Sequence, residues 1–135
     1  MPRDDREDER SEARERALTL LYEAEAKSLS GAEVLDGLPV PPDELAAMLV
    51  AGVSDNRVAI DGFISSYAKG WTLERMPVID RNVLRIGVFE LLLRDDVPTA
   101  VILDEATQLA KDYSTDDSGR FVNGVLAAIA RKVRS

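Results

Sequence analysis

The stretch IDRNVLRIGVFELLL, residues 79–93, is the most apolar part of this sequence, and the predicted fold depends on it. Its apolar side chains fall on most sides of a helical wheel, which is typical of a helix surrounded by other elements. Asp95, Asp96 and Pro98 follow the stretch and end the helix, because proline cannot continue it. Residues 79–93 are therefore predicted to form the central, buried helix.

Two further helices are predicted after this central helix. Residues 99–113 carry apolar or small side chains at spacings of three and four, and residues 118–133 do the same after a polar, turn-like segment. The residues predicted to point inward are Ala100, Leu103, Ala106, Thr107 and Ala110 in the first helix and Phe121, Val122, Val125, Leu126 and Ile129 in the second. Gly124 is interpreted as a position that permits close helix packing.

The first third of the sequence predicts a tail, a helix and a linker. Residues 1–10 are rich in charged side chains and are predicted to form a disordered tail. Ser11 is predicted to cap a helix that runs to about Lys27. Residues 31–42 contain two glycines and three prolines. That composition indicates a linker with a short helical turn near its start.

Residues 42–68 continue one apolar stripe at helical spacing. The stripe predicts either one long helix or two helices with a kink near Gly52, and a short helical turn is expected at residues 72–75. No segment alternates between apolar and polar residues, which is the pattern of a half-buried strand. The predicted fold class is therefore all-α, with residues 11–135 forming a single domain.

The composition argues against several kinds of site. The chain has 135 residues with no cysteine and no histidine. Disulfides and thiolate metal sites are therefore excluded, and the commonest general base is absent. No loop has the acidic spacing of a calcium site. We therefore expect no metal, no cofactor and no enzymatic activity. Because there is neither a signal peptide nor an apolar run long enough to span a membrane, we expect a cytoplasmic protein.

The formal net charge of −8 bears on the choice of partners. A chain this acidic repels nucleic acid on average, so RNA binding requires a local basic patch or a helper protein. The same charge favours association with a basic protein. Composition by itself therefore points to protein contacts more strongly than to RNA binding by this chain alone.

Three stretches of the sequence resemble the NusB family. They are ARERALTLLYEAE at residues 13–25, DGFISSYAKGWTLERMPVIDRNVLRIGVFELL at residues 61–92, and VPTAVILDEATQLAKDYSTDDSGRFVNGVL at residues 97–126. The order and spacing of VLRIGVFEL, VPTAVILDEATQLAK and FVNGVL make the resemblance specific. It implies a compact bundle of about seven helices in two packed halves.

The resemblance also implies a function. Members of this family act in antitermination of ribosomal RNA transcription, as part of a complex with RNA polymerase. They pair with the ribosomal protein NusE and recognise a short single-stranded RNA element called boxA. Single-stranded recognition is physically reasonable, because exposed bases can be stacked and read at their edges. An apolar face of the bundle could be buried against a second copy of the chain in a homodimer, or it could bind NusE. The sequence does not distinguish between these two possibilities.

Seven residues are candidates for RNA contact, and four of them, Arg10, Arg14, Tyr22 and Tyr67, match positions that the family uses near RNA. Arg10 directly precedes the first predicted helix, and Arg14, Arg16 and Tyr22 lie on it. Further along the chain, the candidates are Tyr67, Arg120 and Phe121, where Arg120 and Phe121 could flank RNA with a cation and a ring. Arginine suits phosphate because its planar fork donates several hydrogen bonds, and an aromatic ring can stack on a base. The competing interpretations are a solvated, ion-paired helix start for the arginines and core packing for Tyr22 and Phe121. Ser11 and Glu12 stand where other members carry a basic run, which argues for weak RNA binding by the chain alone.

Four charged residues match the family's surface for the ribosomal partner: Glu74, Arg75, Asp80 and Arg81. An acid at position 80 would complement a basic protein and speed association. The competing interpretation is a solvent-facing charge beside a buried helix. Trp71, close to Gly70, is interpreted as a packing anchor and not as a site residue.

Two other functions stay open on the sequence alone. A bundle of this kind also forms the RNA-binding front domain of some ribosomal RNA methyltransferases, but those proteins need a cofactor-binding domain and a catalytic cysteine. This sequence has no cysteine and reaches only residue 135. The second alternative is a helical protein-interaction module without an RNA role, which the acidic composition favours.

Overall fold

Helices account for nearly all regular structure in the computed structural model, which describes the backbone of residues 5–134 and the side chains of residues 9–134. Within the described residues there are seven α-helices, one short 3-10 turn at Leu73–Arg75 and no strand, so the all-α prediction is confirmed. The helices are α1 (Asp5–Ala26), α2 (Gly31–Asp36), α3 (Glu44–Asp55), α4 (Arg57–Tyr67), α5 (Val78–Leu93), α6 (Thr99–Tyr113) and α7 (Asp116–Val133). No helix in this part of the chain is long and apolar enough to cross a membrane.

The chain divides into two compact units, residues 1–55 and residues 56–135. The first contains α1 to α3 and the second contains α4 to α7 with the 3-10 turn. That these units act as one domain, as the sequence predicts, remains a prediction.

The first unit begins earlier than predicted. Helix α1 already includes residues 5–10, so the prediction of a disordered tail is wrong for them, and residues 1–4 lie outside the described part of the chain. Glutamate and arginine have high helix propensity, and acids in a first turn suit the helix dipole. Ser11 is therefore an interior residue of α1 and not its cap.

Helix α2 occupies the start of the predicted linker. The Ser30 hydroxyl accepts a hydrogen bond from the Glu33 amide, and the Glu33 carboxylate accepts one from the Ser30 amide, which forms a capping box. Hydrogen bonding of the Glu33 carboxylate, first with the Ser30 amide and then with the Ser30 hydroxyl, lowers the pKa of Glu33. Gly31 lies against α3: a Cβ there would be 2.8 Å from Ser54 Cβ. The helix can therefore approach α3 only with glycine at this position.

The stripe at residues 42–68 forms two helices rather than one. The break lies at Asn56, between α3 and α4, and Gly52 remains inside α3. Asp43 supports the start of α3, because its Oδ1 accepts a hydrogen bond of 2.8 Å from the Ala46 amide. The prediction of two helices was correct in number, but the kink was placed one turn too early.

Helix α5 is the core of the second unit, as predicted, since every residue from 82 to 91 is buried. Close packing occurs at Gly87, where a Cβ would lie 2.6 Å from Leu126 Cδ1 of α7. Gly124 has open space around it, so the interpretation of that glycine as a packing position is wrong. In α6, Ala106 and Ala110 are buried as predicted, whereas Ala100 is exposed, and Ile102 and Leu109 are buried in addition.

Buried or half-buried polar contacts join the helices of the second unit. Arg85 of α5 is almost fully buried and donates to both carboxylate oxygens of Asp61 on α4, at 2.9 and 3.2 Å. Asn123 of α7 donates to the Thr107 hydroxyl of α6 at 3.1 Å. A further ion pair lies within α5 and its C-terminal cap, where Arg94 pairs with the buried Glu90 at 3.1 Å. Each contact satisfies polar groups that would otherwise be costly to bury.

Candidate functional site

A cavity of about 190 Å³ opens in the second unit, where the start of α5 meets the start of α7. The cavity is lined by Trp71, Met76, Pro77, Asp80, Thr115, Asp117, Ser118 and Phe121. Two of these residues, Asp80 and Phe121, are among the predicted site residues. The structure therefore brings one residue expected to bind RNA together with one expected to bind the protein partner.

Local sequence features build the walls of this cavity. Gly70 has a φ of +80°, a conformation that favours glycine, and it turns the chain after α4 so that Trp71 follows in a loop. Pro77 directly precedes α5. Thr115 caps α7, because its hydroxyl accepts a 3.0 Å hydrogen bond from the Ser118 amide. Two helix starts and one glycine turn thus meet at the same place.

Two aromatic rings face each other at the cavity. The centroids of Trp71 and Phe121 lie 6.2 Å apart with an interplanar angle of 61°, which is an edge-to-face arrangement. Trp71 is 50% exposed, so it is a wall of an open site and not the buried packing anchor that the sequence suggested. Phe121 is half-buried, and one ring can therefore serve both packing and contact with a ligand.

Asp80 lies at the inner wall and is only 4% exposed. Its Oδ2 accepts a hydrogen bond of 2.9 Å from the Ser118 hydroxyl. Its Oδ1 is buried and has no hydrogen-bond partner among the described residues. The expectation of a surface acid at this position is wrong, because the first turn of α5 directs Asp80 towards the first turn of α7.

Arg81 also has an internal role. Its guanidinium donates to the carbonyl oxygen of Met76 at 2.9 Å and to that of Leu73 at 3.3 Å. These bonds hold the 3-10 turn against the start of α5, so the prediction that Arg81 reaches outward to a partner does not fit this geometry. Glu74 and Arg75 lie on the same turn and are exposed, which leaves both available for contact with a protein.

Arg120 forms an ion pair with Asp117, which lines the cavity. Both side chains are largely exposed, so the pair adds little stability. The pair changes the local charge, because the positive charge of Arg120 offsets the negative charge of Asp117 at the cavity. Tyr67, near the end of α4, is half-buried in the same unit.

The predicted RNA residues of the first unit lie along α1. Arg10 and Arg16 are exposed, and Tyr22 is 48% exposed, which favours the surface interpretation of that tyrosine over core packing. Arg14 is 2% exposed. A buried guanidinium cannot reach a phosphate in this conformation, so the prediction of a direct phosphate contact by Arg14 is wrong for this state. The period of a helix shows which residues share a face, but not which face is covered.

Among the described residues, no group of three or more aspartate or glutamate side chains is placed to hold a metal ion. The residues that line the cavity are suited to binding a ligand. Its polar wall supplies hydrogen-bond acceptors, and its apolar wall supplies two ring surfaces. Sequence reasoning did not identify the other six lining residues, which are Trp71, Met76, Pro77, Thr115, Asp117 and Ser118. The one signal available was the position of Trp71 directly after a glycine turn, in a loop between two helices.

The family model of the NusB family matches residues 11–131 of this chain. The transcription antitermination protein NusB of Saccharopolyspora erythraea is 51% identical, with 90% of this chain and 86% of that protein covered. The corresponding protein of Beutenbergia cavernae is 47% identical, with 90% and 89% covered.

Solved structures agree with these matches. T. maritima NusB is 35% identical and has a TM-score of 0.82, with 91% of each chain covered. A chain in the crystal structure of the antitermination factors NusB and NusE in complex with dsRNA is 27% identical and has a TM-score of 0.77, with 91% of this chain and 96% of that chain covered. The family match over residues 11–131 and the identities of 51% and 47% show that this chain belongs to the NusB family.

Proposed function

We propose that this chain is a transcription antitermination factor that binds boxA-type single-stranded RNA of ribosomal RNA transcripts together with the ribosomal protein NusE. It acts as an adaptor in the antitermination complex on RNA polymerase, in the cytoplasm, without a catalytic step or a cofactor. One observation carries the proposal: the fold matches, over 91% of this chain, a chain from the solved complex of NusB, NusE and dsRNA.

Exposed residues of both units support RNA binding. Arg10, Arg16 and Tyr22 supply two exposed cations and a ring on α1, and the exposed Arg120 and the half-buried Phe121 supply one of each at the start of α7. Arginine can bind phosphate with two parallel hydrogen bonds, and aromatic rings accept any base by stacking. The basic groups are few for a chain with a net charge of −8. We therefore expect weak RNA binding by the chain alone and strong binding only with a basic partner.

The exposed 3-10 turn supports a role in partner binding. Glu74 and Arg75 lie on this turn, and the hydrogen bonds from Arg81 hold the turn in place. A fixed turn loses little conformational entropy when a partner binds, so its contacts contribute fully to affinity. NusE binding is therefore assigned to the surface around Glu74 and Arg75, with Arg81 as a positioning residue.

The test is a titration of fluorescently labelled boxA RNA, read by anisotropy, with this chain alone and with NusE present. The proposal expects weak binding by the chain alone and a much lower Kd with NusE. A scrambled single strand is the control for sequence recognition. A boxA duplex is the second control, because the solved complex of the relatives contains dsRNA.

Each other result identifies a different function. Failure to bind the single strand with or without NusE would reject the RNA role, and NusE binding alone would identify a protein-interaction module. Equal affinity for boxA and the scrambled strand would reject boxA recognition. Light scattering of the chain alone, before and after NusE is added, would show whether a homodimer competes with NusE for the same face.

A further inference from the structure

An open groove of about 600 Å³ lies between α6 and α7, near the start of α6 and the end of α7. The residues that line it are Thr99, Leu103, Ala127, Ala130, Arg131 and Arg134. We propose that this groove docks an amphipathic helical segment of an acidic protein. Arg131 binds a carboxylate of the segment, and the floor of the groove receives its aliphatic side chains. This contact is additional to RNA and NusE, and it does not depend on the proposed function.

The floor of the groove is apolar. Leu103 and Ala127 are half-buried, and Ala130 is 6% exposed, yet all three line the groove. Because alanine has no side chain beyond its Cβ, a helix laid against this part of α7 can approach closely. The volume of the groove lies within the roughly 300–1,000 Å³ of pockets that enclose drug-sized ligands. Such a floor suits the aliphatic face of a helix, as in other grooves that bind amphipathic helices.

The charged residues that line the groove are both arginines, whereas the whole chain has a formal net charge of −8. Arg131 is exposed, and its guanidinium forms no hydrogen bond or ion pair with any other residue in the described part of the chain. An unpaired guanidinium can bind a carboxylate through two parallel hydrogen bonds. The groove therefore has a donor available for an aspartate or glutamate of a partner.

Arg134 contributes positive charge but no donor. Its N–H groups are all used, because they donate to four backbone carbonyls and to the Thr99 hydroxyl. These acceptors are uncharged, so among the described residues no carboxylate neutralises this guanidinium. Arg134 is thus a cation fixed in place within the same groove as Arg131. Its charge stabilises a carboxylate that Arg131 binds.

The groove fits an acidic protein segment better than it fits RNA or a basic protein. A phosphate could bind Arg131, but RNA has no aliphatic group to cover the floor, and the lining residues offer no aromatic ring on which a base could stack. Two arginines repel a basic segment. A glutamate placed four residues from a leucine shares one face of a helix with it, and this pair satisfies both the charge and the floor.

The groove is well separated from the cavity described above. Ser118 lines the cavity and Arg131 lines the groove, and both residues lie on α7. With a rise of 1.5 Å per residue, the two residues are roughly 20 Å apart along the helix axis. An acidic segment can therefore occupy the groove while another ligand occupies the cavity.

The experiment is an NMR titration of the isotope-labelled chain with a synthetic helical peptide as the probe. The peptide has roughly 16 residues, because shorter helices are marginal in water. It is alanine-based and carries leucine and glutamate four residues apart on one face. We expect saturable shifts at the amides of residues 127–131 and of Leu103. A second peptide, with lysine in place of each glutamate, should bind about tenfold more weakly or not at all.

Arg131→Glu and Lys132→Glu are matched variants. Each replaces an exposed cation in the last turn of α7 with an acid, but only Arg131 lines the groove. Arg131→Glu should weaken binding of the glutamate peptide about tenfold and strengthen binding of the lysine peptide, because the partner then meets a like charge in the first case and an opposite charge in the second. Lys132→Glu should change either affinity by less than about threefold.

Ala127→Leu tests the floor of the groove without changing any charge. Leucine keeps a high helix propensity, so α7 should remain intact, and unchanged far-UV circular dichroism is the check. The larger side chain fills the floor, and the glutamate peptide should lose most of its affinity. If this variant binds the peptide as tightly as the wild-type chain does, the groove is not the binding site and the proposal is overturned.

Other results would overturn the proposal for different reasons. Absence of saturable shifts, or equal effects of Arg131→Glu and Lys132→Glu, would show that the groove does not recognise the peptide. If boxA RNA shifts the same amides and displaces the peptide, the groove binds RNA. If these amides shift when the chain is diluted without peptide, the groove is an interface between two copies of the chain.

Discussion

Arg134 joins the end of α7 to the end of α5, and its removal is expected to destabilise the second unit. Its guanidinium donates to the carbonyl oxygens of Glu90, Leu91, Arg94 and Val97, at 3.0, 3.0, 2.8 and 2.6 Å, and to the Thr99 hydroxyl at 3.3 Å. The last carbonyls of a helix lack amide partners within that helix. Arg134 supplies a donor to the Leu91 carbonyl at the end of α5 and to the Val97 carbonyl in the loop. It also gives a second hydrogen bond to the carbonyls of Glu90 and Arg94, which already accept from the Arg94 and Val97 amides.

The cost of Arg134→Ala follows from these bonds. A hydrogen bond with a charged donor contributes about 1.5–3 kcal/mol when it is buried. Arg134 is only half-buried, and water can replace some of the bonds, so five bonds do not add up in full. We expect a loss of about 2–4 kcal/mol in the free energy of unfolding. Arg134→Lys should recover only a small part, because a lysine cannot reach several carbonyls with a planar fork.

Urea unfolding followed by Trp71 emission measures the stability of the second unit, since Trp71 lies in that unit. The free energy of unfolding falls by about 2 kcal/mol for each molar of urea, so the urea concentration at the midpoint of unfolding should fall by about 1–2 M in Arg134→Ala. Arg131→Ala is the control, because Arg131 is exposed on the same helix and should change stability by less than about 0.5 kcal/mol. Equal midpoints for the Arg134 and Arg131 variants would refute the role assigned to these hydrogen bonds.

Three other outcomes are expected. Gly87→Ala should lower stability by about 1–3 kcal/mol in thermal unfolding, since its Cβ meets Leu126; a combined Leu126→Val that restores nothing would contradict this reason. The lowered pKa of Glu33 means that the capping box stabilises the fold above the ordinary pKa of 4.5, and this stability is lost as pH falls through the lower folded pKa. In Ser30→Ala an NMR titration should show the pKa of Glu33 rise only part of the way towards 4.5, because the Ser30 amide bond is the larger cause and alanine keeps it. Arg16→Ala should weaken binding of boxA RNA by the complex with NusE. The slope of the logarithm of the binding constant against the logarithm of the salt concentration should become shallower by about one, and an unchanged slope would exclude a phosphate contact by Arg16.

Helix periodicity predicted most of the elements of this fold. The apolar segment of residues 79–93 is buried as α5, and α6 begins and ends at the predicted residues. Such predictions succeed because a helix repeats every 3.6 residues, so the pattern of apolar residues reports the helix directly. Helix ends were predicted less well, since charged residues with high helix propensity extend α1 towards the N-terminus.

The candidate site was predictable only in part. Asp80 was identified through the family resemblance and Phe121 as a ring that could contact RNA, but their meeting with Trp71 in one cavity was not predicted. An acid three residues after Pro77 is equally consistent with a solvent-facing charge in a first turn. Only the position of α7 decides that Asp80 lies against Ser118.

The amino-acid sequence by itself determined the helical class, the buried central helix, the acidic charge and the family, because each of these depends on residue identity and on local spacing. The tertiary structure decided which polar residues are covered. Arg14 and Asp80 are buried, whereas Tyr22 and Trp71 are exposed. Burial depends on neighbours that are distant in sequence, and neither propensity nor periodicity contains that information.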